Sequence, residues 1–175
     1  MGNGSGYERG LRDRYYEHDS VGIRIPASGG GTSYDLPDVV GIQMKAEAKP
    51  WQNPSLVPSG QKGVVMGPIL FGHELKKTGG ETIRFGTPEL WELIAWAYDW
   101  GAIPLATVRF PYDTEFYSAI PTETFLEGIE EKLHRGEPVT SFRIKKEQRK
   151  EMTSFTALME GEPVGDIATL DELDI

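Results

Sequence analysis

An α/β fold with a mixed central sheet flanked by helices is predicted by three observations. Helical and strand periodicities alternate along the chain after an initial helix. The segment from Thr87 to Trp100 is apolar around most of its circumference, so one face requires a sheet and the rest a further partner. Ile103 to Phe110 is a nearly continuous apolar run of the kind buried on both faces.

Tyr7 to Asp19 reads as the first helix, with Tyr7, Leu11 and Tyr15 at i, i+4 and i+8 forming an apolar stripe. Val21 to Ile25 alternates as a strand, Val21, Ile23 and Ile25 facing one way and Arg24 the other. Pro26 and the run from Ser28 to Ser33 break it into a loop. Val39 to Ile42 and Met44 to Ala48 read as two strands of a tight hairpin or one long bent strand. Either way Glu47 and Lys49, two residues apart, share a face. Residues 50 to 83 hold four prolines and little periodicity, and read as an insertion in which Val64 to Phe71 adds a strand. Thr87-Pro88-Glu89 opens a helix: a hydroxyl at the N-cap, proline at the first helical position, an acid in the first turn. Gly101 ends it. Ile103 to Phe110 and Glu115 to Ile120 follow as strands, Thr122 to His134 as a helix and Val139 to Ile144 as a last strand.

Composition bounds the function. At 175 residues the chain fits one domain, and its lack of cysteine excludes disulfides and thiolate zinc sites. No apolar run approaches the roughly 18 residues of a membrane span and no signal peptide is legible, so a cytoplasmic, membrane-free protein is expected. The net charge of −9 argues against a phosphate-rich partner, but its distribution does not. Residues 151 to 175 carry seven acids and no Lys or Arg, leaving 20 acids against 18 bases in the body. The expected organisation is a domain over 1–150, with its insertion at about 50–83, and an acidic C-terminal tail over 151–175. Within the body Arg9, Arg12 and Arg14 cluster near the start. Arg143, Lys145, Lys146, Arg149 and Lys150 cluster before the tail, and such patches decide where a phosphate backbone lies.

Pro37-Asp38 at the start of one apolar run and Glu47-Ala48-Lys49 at the end of the next suit metal-dependent phosphodiester hydrolysis. Mg²⁺ takes few protein oxygens and keeps water and phosphate, so Asp38, Glu47 and the Ala48 carbonyl suffice. Lys49 would orient or help deprotonate the attacking water, and Glu8 would complete the outer sphere. Asp35 competes with Asp38 for the metal role. The alternative for each piece is bland: an Asp before a strand is commonly a turn residue, and Glu-x-Lys on a strand is usually a solvated face. His18, His73 and His134 lack ligand spacing, and no Lys-Ser/Thr follows the Gly-rich run to make it a P-loop.

The order of motifs around this pattern resembles the archaeal Holliday junction resolvases. The resemblance runs through Glu8-Arg9-Gly10, Arg24-Ile25-Pro26-Ala27-Ser28-Gly29, Pro37-Asp38-Val39-Val40 and Glu47-Ala48-Lys49. It continues through Thr87-Pro88-Glu89-Leu90, Trp100-Gly101-Ala102-Ile103-Pro104, Val108-Arg109-Phe110 and Phe142 to Glu147. It implies the restriction-endonuclease-like nuclease fold of the PD-(D/E)xK superfamily and a homodimer that cuts four-way DNA junctions in recombination or repair with Mg²⁺, for which Mn²⁺ substitutes. By position, it implies that Glu8, Asp38 and Glu47 handle metal and that Lys49 is catalytic. Arg9 and Arg24 would contact the scissile phosphate, and Ser28 would lie in a loop needed for cleavage. DNA contacts are expected from Arg9, Arg12, Arg24, Ser28, Arg143, Lys145 and Lys146. The second partner of the apolar helix would be the other subunit, presenting two active sites for two opposed cuts. The gap from Asp38 to Glu47 is short for the family and requires a tight hairpin or an early end to the aspartate's strand. Rival readings are another nuclease of this superfamily acting on duplex DNA, its bases read by the 50–83 insertion, and a non-catalytic DNA-binding subunit of the same fold.

Overall fold

The computed structural model describes residues 3–25, 36–44, 68–77, 80–121, 123–137 and 141–167. In chain order these form α1 (Asn3–Glu17), β1 (Val21–Arg24), β2 (Val39–Gln43), β3 (Ile69–Lys77), β4 (Thr82–Gly86), α2 (Thr87–Trp100), β5 (Ile103–Arg109), β6 (Tyr117–Ala119), α3 (Glu123–His134) and β7 (Ser141–Lys145). A 3₁₀ turn over Lys146–Glu151, β8 (Thr153–Ser154) and α4 (Phe155–Met159) follow. Six strands make one mixed sheet in the order β1-β2-β3-β5-β6-β8, with β3 and β5 parallel and all other neighbours antiparallel. A second, antiparallel sheet pairs β4 with β7. Among the described residues no helix is long and apolar enough to cross a membrane.

The two long helices cover opposite faces of the large sheet. Leu11 and Tyr15 of α1 pack with Val39, Phe71, Leu105 and Phe116, joined by Phe155 and Leu158 of α4. Leu90 and Leu93 of α2 pack with Ala106 and Val108 and with the inner face of the small sheet, Ile83, Phe85, Phe142 and Ile144. Leu105 and Ala106, adjacent on β5, thus point into different cores, as strand alternation requires. The apolar run Ile103 to Phe110 is, as expected, buried on both sides.

Several expectations give way. In β1 the α1-facing residue is Gly22, not the apolar set, and Ile23 is 43% exposed. A Cβ on Gly22 would lie 2.7 Å from Arg12 Cα and 2.6 Å from Arg12 O, so the close approach of α1 leaves no room for a side chain. Both edges of β2 are occupied, by β1 and β3, which leaves no place for a hairpin partner beside it; residues 45–48 lie outside the described residues. The 50–83 segment is not simply an insertion, because it supplies β3, a nine-residue central strand, and the start of β4. Thr87 is the first residue of α2, not its cap. Gly86 occupies the N-cap without a side-chain bond, and Pro88 is second in the helix, not first, though still in the first turn. Residues 151–167 are no free tail either: Phe155, Leu158 and Ile167 are buried, and β8 extends the sheet.

A buried polar chain fastens α1 to three strands. Tyr15 Oη bonds His73 Nε2, His73 Nδ1 bonds Thr107 Oγ1 at 2.7 Å, and Thr107 Oγ1 bonds Ser118 Oγ at 2.8 Å. Complete burial pushes His73 down to about 3 and raises Tyr15 well above its ordinary value. His73 is therefore neutral when folded and protonates on unfolding below its ordinary value of 6.5. Stability from this site is fully present above about pH 6.5 and is lost as pH falls towards 3, at about 1.4 kcal/mol per pH unit per proton. Urea unfolding across this window should show a pH slope about one proton shallower for His73→Gln than for the unaltered chain. An unchanged slope would mean that His73 protonates within the fold.

Candidate active site

The ladder between β2 and β3 ends with Val39 opposite His73, which sets Asp38, one step further, across from Glu74. Asp38 is held at three points: its N–H donates to His73 O at 2.9 Å, its carbonyl accepts from Ile25 N at 2.9 Å, and Oδ2 accepts from Leu75 N at 2.9 Å. Glu74 and Lys76, two apart on β3, share the sheet face that α2 covers. Lys76 Nζ lies 3.5 Å from Glu74 Oε1 and 2.8 Å from Oε2 of Glu89, in the first turn of α2. On the opposite face, Glu8 of α1 accepts from Arg24 Nε of β1 at 2.7 Å. The N-terminal ends of both helices and the ends of β1, β2 and β3 thus meet at one edge of the molecule.

Electrostatics mark this edge as strained for carboxylates. Burial raises Asp38, the charges of Glu8 and Glu89 raise it further, and the Leu75 bond and Lys76 only partly offset them. Burial is also the largest effect on Glu74, which with the neighbouring Asp38 pushes it up to about 8. Burial alone would lower Lys76, but its bond to Glu89 and the charges of Glu74, Glu89 and Asp38 outweigh this and hold it above its ordinary value. Lys76 is consequently an ammonium, able to donate to a phosphate oxygen or hold a water.

Two desolvated carboxylates facing each other fit a divalent cation, which would remove the repulsion that raises them. The donors are oxygens only, the chemistry of Mg²⁺ and not of a soft metal. Among the described residues no group of three His, Asp or Glu side chains converges into a cage. A small protein donor set is what Mg²⁺ uses when phosphate and water complete its octahedron.

Of the expected site residues, the structure brings Glu8, Arg24 and Asp38 to this edge, with Arg9 exposed on α1 beside Glu8. Arg12 pairs with Asp13 at 3.0 Å on the helix surface. Arg143 and Lys145 lie on β7 in the small sheet, and Lys146 begins the turn after it. Ser28, Asp35, Glu47, Ala48 and Lys49 lie outside the described residues. Sequence reasoning passed over Glu74, Lys76 and Glu89. Their signal was present: Glu74-Leu75-Lys76 closes the apolar run Ile69-Leu70-Phe71 and repeats the Glu-x-Lys pattern assigned to residues 47–49.

Comparison with known proteins finds likenesses in sequence and in fold. The family model described as archaeal Holliday junction resolvase (Hjc) matches residues 1–48, a stretch that carries Glu8, Arg24, Asp38 and Glu47 and stops short of Glu74. No curated protein matches the chain in sequence. In three dimensions it is similar to Hjc of Archaeoglobus fulgidus, a Holliday junction resolvase from an archaeal hyperthermophile. The TM-score is 0.58 at 12% identity, over 91% of this chain and 97% of that one. At that identity the likeness is one of fold, a mixed sheet flanked by helices of the restriction-endonuclease-like kind. In its first 48 residues by sequence, and over nearly its whole length by fold, the chain is Hjc-like.

Proposed function

We propose that this chain is a divalent-metal-dependent endonuclease that resolves four-way DNA junctions by paired phosphodiester hydrolysis. The observation that carries the reading is Asp38 placed across from Glu74-Leu75-Lys76 at the end of two paired strands, beside the Glu8–Arg24 pair within the family-matched stretch. Asp38 and Glu74 would hold Mg²⁺, or Mn²⁺ in its place; when bound, the ion supplies charge neutralisation at the phosphate and lowers the pKa of water. Lys76 then faces the phosphate as a second positive charge, its direction set by Glu89. Arg24 is steadied by Glu8 through Nε, and its other N–H groups, which bond no other described residue, would donate to a phosphate oxygen. Arg9, exposed next to Glu8, would extend the contact along the strand. Glu47, Ala48, Lys49 and Ser28 remain a rival assignment for the metal and cleavage roles.

We take the enzyme to act as a homodimer, in the cytoplasm at the nucleoid. The outer side of α2 presents Trp91, Tyr98 and Trp100 to solvent, and Trp96 and Trp100 stack with ring centroids 6.2 Å apart. A two-fold axis at this aromatic face would place two sites for opposed cuts. Tyr98→Glu should turn a dimer into a monomer in sedimentation.

Two experiments test the reading. A labelled mobile four-way junction should be nicked in pairs with Mg²⁺ and not with EDTA, while a linear duplex of the same sequence is spared. Equal cutting of both would sink the junction assignment and keep the nuclease. Glu74→Gln and Lys76→Ala should each lower cleavage by at least about a hundredfold, whereas Glu47→Ala and Lys49→Ala stay within a few-fold of the unaltered enzyme. The reverse pattern would return the metal site to residues 47–49.

A further inference from the structure

Beside the carboxylates, at the same strand ends but on the α1 side of the sheet, lies a second group that the catalytic reading does not use. Lys77 ends β3 and Arg109 ends β5, and the two are partners in the parallel ladder. They flank one aromatic ring: Lys77 Nζ lies 4.7 Å and Arg109 Cζ 5.1 Å from the centroid of Tyr7. Arg109 also sits 5.3 Å over Phe116, and its Nε donates to Asp113 O at 2.9 Å, which fixes the plane of the guanidinium. Among the described residues neither cation forms an ion pair, in a chain of net charge −9. Two adjacent like charges repel, so leaving them unpaired where acids are in excess is costly unless an anion comes between them.

The turn that follows β5 adds an aromatic platform. Tyr112 is fully exposed and has φ 67°, a left-handed conformation uncommon for a bulky residue. The turn is braced on both sides of it. Asp113 N donates to Phe110 O at 3.1 Å, Asp113 O takes the Arg109 bond, and Asp113 Oδ1 accepts from Arg149 Nη1 at 2.5 Å. Backbone strain and full exposure of a phenol ring are thus maintained by two arginines, one of them a member of the cationic pair.

We infer that Lys77, Arg109 and Tyr112 form a second nucleic-acid subsite, in which the two cations hold a phosphate flanking the cleaved one and Tyr112 stacks on an unpaired base beside it. The inference rests on the nuclease reading above and adds the branch-recognising element to it. Phosphate contacts position any duplex equally, whereas a stacking platform rewards a base already out of the helix, as at a branch point. The subsite lies one residue along β3 from Lys76, so a strand crossing the sheet edge meets both.

The full chain, in EDTA to prevent cutting, is titrated with a four-way junction carrying 2-aminopurine next to the branch. The unaltered protein should quench the probe. Tyr112→Ala should abolish the quench and weaken binding roughly ten- to hundredfold, and Tyr112→Phe should restore both. Lys77→Gln with Arg109→Gln should reduce the slope of log Kd against log salt by about 1.4 to 1.8, the loss of two phosphate contacts. Lys77→Gln alone, expected to lose about half of that, serves if the pair fails to fold. Unaltered affinity, quench and salt slope in these variants, with the parent still cutting junctions, overturns the subsite and leaves the nuclease standing. A parent that neither binds nor cuts junctions overturns both.

Discussion

The antiparallel register between β2 and β3 sets Val39 opposite His73, and from that pairing the chemistry at the sheet edge follows. Because side chains alternate, the same register sends His73 and Leu75 towards α1 and Glu74 and Lys76 towards α2. A slip of one residue would bury Glu74 against Tyr15 and expel His73 from its bonds to Tyr15 and Thr107. The buried chain Tyr15–His73–Thr107–Ser118 therefore acts as a lock on the register that presents Glu74 to Asp38. Structural histidine and candidate catalytic glutamate are neighbours in sequence for this reason.

Charge at the edge is arranged in two layers. On the α2 side, Asp38, Glu74 and Glu89 face Lys76, the one ion-pair partner of the two glutamates among the described residues, and burial together with this excess of acid raises Asp38 and Glu74. Across the thickness of the sheet, on the α1 side, Glu8 is paired with Arg24 and the balance reverses, with Lys77 and Arg109 free of ion pairs among the described residues. A cation would settle the first layer and a phosphodiester the second. The N-termini of α1 and α2 add their partial positive charge to the same edge. Net acidity is no obstacle to a nucleic-acid partner where local patches decide, and some acids elsewhere are absorbed internally. Glu115, for example, is held by Arg14 at 3.0 Å and by Thr156 at 2.7 Å.

How much of this was legible in the sequence depended on whether an element announces itself locally. α2 and β5 did, through Pro88, Gly101 and an apolar run long enough to exclude other readings. Glu8, Arg24 and Asp38 were legible through the order of their surroundings. β3 was not. Its pattern mixes Gly72 and His73 into an apolar stretch, and both make sense only in three dimensions. Gly72 admits Trp96, whose ring would meet a Cβ at 2.3 Å, and His73 is satisfied by partners 58 and 34 residues away. The strand expected over Val64 to Phe71 therefore stops short of Glu74 and Lys76, which β3 carries at its far end. β1 was legible as a strand with Val21 and Ile23 on one face and Arg24 on the other, but that α1 packs on the glycine face was not.

The acidic end of the chain shows why composition alone misleads about architecture. Residues 151–167 carry no base, yet Phe155 and Leu158 complete the core beneath α1, and Ser154 caps α4 through Ala157 N at 3.2 Å. The acids of this stretch thus belong to a packed element. Arg14, one of the three arginines grouped near the start, is the counterpart of this arrangement. It spans from α1 to Glu115 and Thr156, tying the terminal helix to the first. A cation grouped by sequence with a basic cluster is in this case a structural fastener.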